Sequence, residues 1–172
     1  SERVWHQATE YRVPRIVFVN KLDRLGADFG RACADLEAKL GGTFVPLLVP
    51  IGRDGGYLAA LDLVRDVLLT WSVTSEDDRP AESPIPAEFR ALADAGRERV
   101  VEAAAIGDDT IVDAFLESGA VDAARLRDGL RAAAHTLHLV AEAGEREDRA
   151  LPDGVVIVGD EDACPGGEQC NR

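Results

Sequence analysis

Four consecutive apolar residues, Ile16-Val17-Phe18-Val19, stop abruptly at the polar stretch Asn20-Lys21-Leu22-Asp23. A strand with one face in water alternates apolar and polar side chains. An unbroken, largely β-branched run predicts instead a strand buried on both faces, as in parallel sheets. Ahead of it, residues 2–11 place Val4, Trp5, Ala8 and Tyr11 on one helical face, and Pro14 ends that helix. Behind it, Phe29, Cys33, Leu36 and Leu40 recur at helical spacing, with Asp28 as the predicted N-cap and Gly41-Gly42 as the stop. Helix, buried strand, polar loop and helix make half of an open α/β sheet. Ligands of such sheets gather at the carboxyl ends of the strands, which is where residues 20–23 lie.

The Asn-Lys-x-Asp loop is the one pattern here that carries a defined chemistry. A carboxylate held in such a loop, here Asp23, accepts from the ring N1–H and from the exocyclic amine of guanine. Adenine offers neither donor in that arrangement, so discrimination is large. The Asn20 amide can bond the base edge and tie neighbouring loops together, and the aliphatic stem of Lys21 can lie across the base plane. Asn and Asp also occupy strand-to-helix loops simply because they suit turns. The buried strand before the loop and the helix after it are the context that favours the recognition reading.

Beyond Gly42 the texture changes. Residues 44–51 predict a strand and residues 52–56, rich in glycine, a turn. Residues 57–72 fit either a helix, through Leu58, Leu61, Val64 and Leu68, or two short strands joined near Asp66. Residues 73–86 are a polar, proline-rich connection. Three helices follow. Phe89, Leu92, Val100 and Ala104 line the first. Ile111, Val112, Phe115 and Leu116 line the second, capped by Asp108 and ended by Gly119. Leu126, Leu130 and Leu137 line the third, capped by Asp122. Residues 142–172 hold a charge run, one strand candidate at Val155–Val158, and a final stretch of disordered composition.

With 19 basic and 32 acidic residues, the net charge of −13 disfavours direct nucleic-acid binding, which needs lysine and arginine to displace counterions. No apolar stretch has membrane-spanning length, so no membrane partner is expected. Three cysteines give no fully paired disulfide framework, and a reducing, cytoplasmic compartment is the expectation. The chain starts without methionine on an amphipathic segment, as a fragment of a longer protein would. His135, His138, Cys164 and Cys170 lack the close pairing of a zinc site, and no metal site or catalytic residue is expected.

The strings Ser-Glu-Arg-Val-Trp-His-Gln-Ala and Val-Pro-Arg-Ile-Val-Phe-Val-Asn-Lys-Leu-Asp-Arg-Leu-Gly-Ala-Asp-Phe resemble the second half of the GTPase domain of bacterial elongation factor G. The similarity continues through Pro46–Gly52, Leu61–Val64, Arg97–Ala103 and Asp108–Glu117, covering residues 1–131. The resemblance implies the second half of a P-loop-type GTPase sheet, an α/β fold, carrying an inserted α+β subdomain. It divides the chain into residues 1–43, the end of a GTP-binding domain; 44–131, the insertion, with a strand pair at 57–72; and 132–172, a divergent, partly disordered tail. It also implies GTP or GDP as ligand through Asn20, Lys21 and Asp23, and a role in ribosomal translocation. The acidic residues Asp94, Glu98 and Glu102 read alone as a solvated face; the resemblance implies a possible meeting place with the ribosomal stalk protein.

Within the class, a ribosomal protection protein or a release-factor recycling GTPase is the alternative. Outside it, the alternative is an inactive fragment or a non-enzymatic interaction module. Two departures from the family pattern stand out. The phosphate-binding loop, the switch segments and the Asp-x-x-Gly motif, on which Mg²⁺ binding depends, are not among these residues. After Arg131 the expected strand and Gly-Ser-Ala base-contacting loop are replaced by Ala-Ala-Ala-His-Thr-Leu-His and an acidic stretch.

Overall fold

A computed structural model describes residues 2–11, 13–20, 22, 26–52, 59–71, 79–134 and 138–142. Two sheets organise them. The first is parallel, in the order β1-β7-β2, from β1 (Arg15–Val19), β7 (His138–Glu142) and β2 (Phe44–Pro46). The second is antiparallel, in the order β3-β4-β5-β6, from β3 (Leu48–Ile51), β4 (Ala59–Asp62), β5 (Val67–Thr70) and β6 (Ala81–Ser83).

The apolar run does form a strand of a parallel sheet, with Val17 buried and Ile16, Phe18 and Val19 half-buried. The pleat sends Val17, Phe44 and Val140 to one face, where α1 (Glu2–Glu10) delivers Trp5 and α2 (Phe29–Leu40) adds Phe29, Cys33, Leu36 and Leu40. Val45 and Leu139, with Ile16 beside them, point to the other face. That face joins the larger core under α3 (Ala87–Ala105), α4 (Thr110–Ser118) and α5 (Ala123–Ala133). Because the two clusters lie on opposite faces of one sheet, the antiparallel unit is packed onto the parallel sheet rather than tethered to it.

Residues 44–51, expected as one strand, are two. Leu47 divides them: its N–H donates to the Val140 carbonyl at 2.7 Å, while its own carbonyl accepts from Leu63 N–H at 3.0 Å. One residue therefore belongs to both sheets. The open choice at residues 57–72 resolves to the strand pair. β4 and β5 are joined by a turn that ends at Asp66, in the left-handed region at φ 60°.

The caps follow the sequence closely. Asp28 accepts from Arg31 N–H and Asp122 from Ala124 and Arg125 N–H, and Gly119 ends α4 at φ 70°. Asp108 serves the start of α4 from one position further back, accepting from both the N–H and the hydroxyl of Thr110.

Some helix faces depart from expectation. Val4 and Tyr11 on the α1 side are exposed and Trp5 carries its burial; Leu92, Val112 and Leu116 are exposed on α3 and α4. Periodicity marks an apolar stripe, but the width of stripe that is covered depends on what packs against it. Leu137, Val155–Val158 and the two C-terminal cysteines lie outside the described residues.

The largest departure concerns the segment read as a divergent tail from residue 132. Its first residues complete α5, and His138–Glu142 form the middle strand of the parallel sheet. The short Leu139-Val140 core was outweighed in the sequence by its polar flanks. Yet a strand with partners on both sides needs few residues to be stable: β1 pairs along all of β7, and β2 along its first three residues.

Candidate functional site

The expected ligand loop leaves β1 at Val19. Parallel pairing sets Val19 level with Glu142, so the chain also leaves β7 at this point. The carboxyl ends of two neighbouring parallel strands thus lie side by side at one edge of the sheet, where ligands gather in open α/β folds. Asn20 is exposed at that edge. Leu22 is half-buried, and Asp28 fixes the far end of the loop by capping α2 through Arg31 N–H at 2.9 Å. Lys21 and Asp23 lie outside the described residues. Of the three predicted base-contacting residues, the structure thus places Asn20 itself and both anchors of the loop that carries the others.

Behind the loop, a cleft of about 670 Å³ separates α2 from α3. Leu22, Phe29, Cys33, Pro46, Leu63 and Arg99 are among its walls. Arg99 on α3 donates to the Phe44 carbonyl at 2.9 Å and to Glu37 Oε1 at 3.4 Å. The Cys33 thiol beside them is pushed up to about 11, by burial first and by Glu37 as well, against the opposing pull of Arg99. It is therefore a protonated, poorly nucleophilic thiol at neutral pH.

At the opposite end of β1, the Arg15 guanidinium lies 4.0 Å over the Trp5 ring and donates to the Trp5 carbonyl at 2.9 Å and to Thr9 Oγ1 at 2.8 Å. Burial lowers its proton affinity. These bonds fasten α1 to the strand that presents the loop. His138, weighed in the sequence as a metal ligand, packs against Trp5 and Phe44 with ring centroids 4.5 and 4.9 Å away. No group of three His, Cys, Asp or Glu residues suited to a metal ion occurs among the described residues. No described helix is long and apolar enough to cross a membrane.

Sequence reasoning missed β7 as the companion strand, Arg99 and Arg15. For β7 the signal was present in the apolar trio Leu139-Val140-Ala141. For the arginines, nothing in the local pattern distinguishes a bridging side chain from a solvated one.

Residues 1–152 match the family of the elongation factor Tu GTP binding domain. The chain belongs to that family. The match runs past Arg131, where the resemblance had been expected to end, and takes in β7. Among curated relatives, "Elongation factor G 2" of Geobacter metallireducens is 43% identical over 131 residues, 76% of this chain and 19% of the relative. A crystal structure of a Thermus thermophilus protein superposes with a TM-score of 0.65 at 26% identity, covering 83% of this chain and 21% of the other. The chain thus spans about a fifth of the length of the proteins it matches. It is an elongation factor G-like member of a GTP-binding family, of mixed α/β fold, and guanine nucleotide is the ligand class of that family.

Proposed function

We propose that this chain is the guanine-recognising part of a translational GTPase of the elongation factor G type. In this reading Asp23 accepts from the guanine N1–H and amine, Asn20 bonds the base edge, and the Lys21 stem covers its face. The observation that carries the reading is the position of Asn-Lys-x-Asp at the carboxyl end of a buried parallel strand, with a second parallel strand ending level with it.

The intact protein would couple GTP hydrolysis to ribosomal translocation, and would work in the cytoplasm where ribosomes are. Mg²⁺ and the phosphates would be held by motifs that these 172 residues do not spell. Residues 1–43 together with β7 would form the GTP-binding sheet, and 44–131 the inserted subdomain. The exposed acids Glu98 and Glu102, with Asp94 paired to Arg90 at 2.8 Å, offer the insertion's acidic face to the ribosomal stalk protein.

The test uses Asp23→Asn in the longer protein. Asparagine exchanges an acceptor for a donor, which suits xanthine, whose C2 carries an oxygen. Losing the charge-assisted pair weakens GTP binding by about 2–3 kcal/mol and shifts preference toward xanthosine triphosphate. An unchanged preference in competition binding would remove Asp23 as the base reader.

A further inference from the structure

A loop can be held no better than its two anchors. The first anchor of residues 20–28 is β1, paired along its whole length with β7. The second is α2, and it is the looser one. No residue of α2 is fully buried, and its apolar row of Phe29, Cys33, Leu36 and Leu40 is only partly covered. Phe29, Cys33 and Glu37 also line the cleft toward α3, and Leu22, in the middle of the loop, lines the same cleft.

Arg99 spans that gap. From α3 it donates to the backbone carbonyl of Phe44, a residue with no exposed surface, and to Glu37 on α2. Both bonds leave the same nitrogen, Nη2, whose two N–H groups point in fixed directions in the guanidinium plane and so hold the two acceptors in fixed relative positions, whereas a lysine ammonium rotates freely. One guanidinium therefore references α2 both to the parallel sheet and to the antiparallel unit.

We propose that Arg99 is a positioning residue for the loop at residues 20–23, setting the spacing of α2 from α3 and so coupling the antiparallel unit to the loop. The ligand named here rests on the reading of that loop as a guanine reader; the coupling itself does not. A partner that displaces α3 would draw α2 with it through Glu37 and change the space behind Leu22. The unit that carries the acidic face would then report its occupancy to the base-recognising loop.

Hydrogen–deuterium exchange on the whole 172-residue chain tests this without any nucleotide. Arg99→Ala is expected to accelerate exchange at residues 20–40 by about twofold to fivefold, the size of effect that a half-exposed charged contact supports. Exchange in α4 and α5 stays unchanged. Arg99→Lys keeps the charge on a shorter side chain with a freely rotating ammonium, and gives an intermediate acceleration. Glu37→Ala accelerates α2, and adding Arg99→Ala to it produces less than the sum of the two effects. Unchanged exchange at residues 20–40, or an equal acceleration across the whole chain, would overturn the proposal. Failure of the Asp23→Asn prediction would remove the guanine while leaving this coupling measurable, so the two outcomes are separable.

Discussion

Three carbonyls meet one cation at Arg97. Its Nη1 donates to Leu63 and Val64 oxygens at 2.7 and 2.9 Å, and its Nη2 to the Val121 oxygen at 2.8 Å. These oxygens belong to the β4–β5 turn and to the connection before α5. A buried carbonyl left without a donor carries its full desolvation cost, so Arg97→Ala should destabilise the chain by about 3 kcal/mol. Arg97→Lys should recover less than half, measured as the shift in urea midpoint.

Asp62 behaves differently, because burial pushes its carboxyl up while the N–H groups of Arg65 and Val64 pull it down by less. An acid whose folded value lies above its unfolded one favours the fold most when protonated, below roughly pH 3.9. That advantage is lost as pH rises through the folded value, and the cost of the buried charge is constant above it. Asp62→Asn keeps an oxygen for both N–H donors and removes the charge. It should be more stable than the parent at pH 7, with the gap narrowing as pH falls toward roughly 3.5 in paired urea titrations.

Among the elements, α3 and α5 approach closely at Gly129. A Cβ on Gly129 would lie 2.6 Å from the Ala104 carbonyl oxygen and 2.7 Å from Ile111 Cδ1. In an isolated helix, alanine at this position would gain about 1 kcal/mol over glycine. The clash is with backbone, which cannot rotate away, and overpacking of this kind costs about 1–3 kcal/mol. The clash is expected to win: Gly129→Ala should lower the thermal midpoint.

This scale also shows what was legible in advance. β1 and α2, with their caps, were readable because each depends on neighbours within a few residues in the chain. The split at Leu47 was not, since it arises from two distant partners, Val140 and Leu63, competing for one peptide unit. The exposed sides of α1 and α4 were misjudged for the same reason: the covered width of a stripe is a tertiary property. Of the candidate site, the loop and its strand were legible, while the neighbouring strand end and the Arg99 bridge required the fold.

For the molecule as a whole, the division of labour follows from what the residues spell. Base contacts give selectivity, but triphosphate recognition comes mostly from backbone amides and a lysine around the phosphates, with a metal neutralising charge. No Gly-x-x-x-x-Gly-Lys-Ser/Thr stretch occurs in the chain, and a net charge of −13 gives little general attraction to a nucleotide polyanion. The chain alone should release no phosphate from GTP above the buffer rate in a single-turnover assay with Mg²⁺. Hydrolysis above that rate, abolished by Asp23→Asn, would show that the phosphate machinery resides here after all.

The place of β7 in the parallel sheet has a temporal consequence. Among the described strands of the sheet, the middle one is synthesised last, separated from β2 by the whole antiparallel unit and its helices. At ribosomal speeds, on the order of ten seconds pass between the emergence of β2 and that of β7. During that interval β1 and β2 have no strand between them, and Val17 and Phe44 lack the Val140 they pack against. The antiparallel hairpins and α3–α5 are built from near neighbours and can form meanwhile. A nascent chain of this design therefore carries a finished second half and an open, adhesive first half until the closing strand arrives, and that is when a holding chaperone would have most to bind.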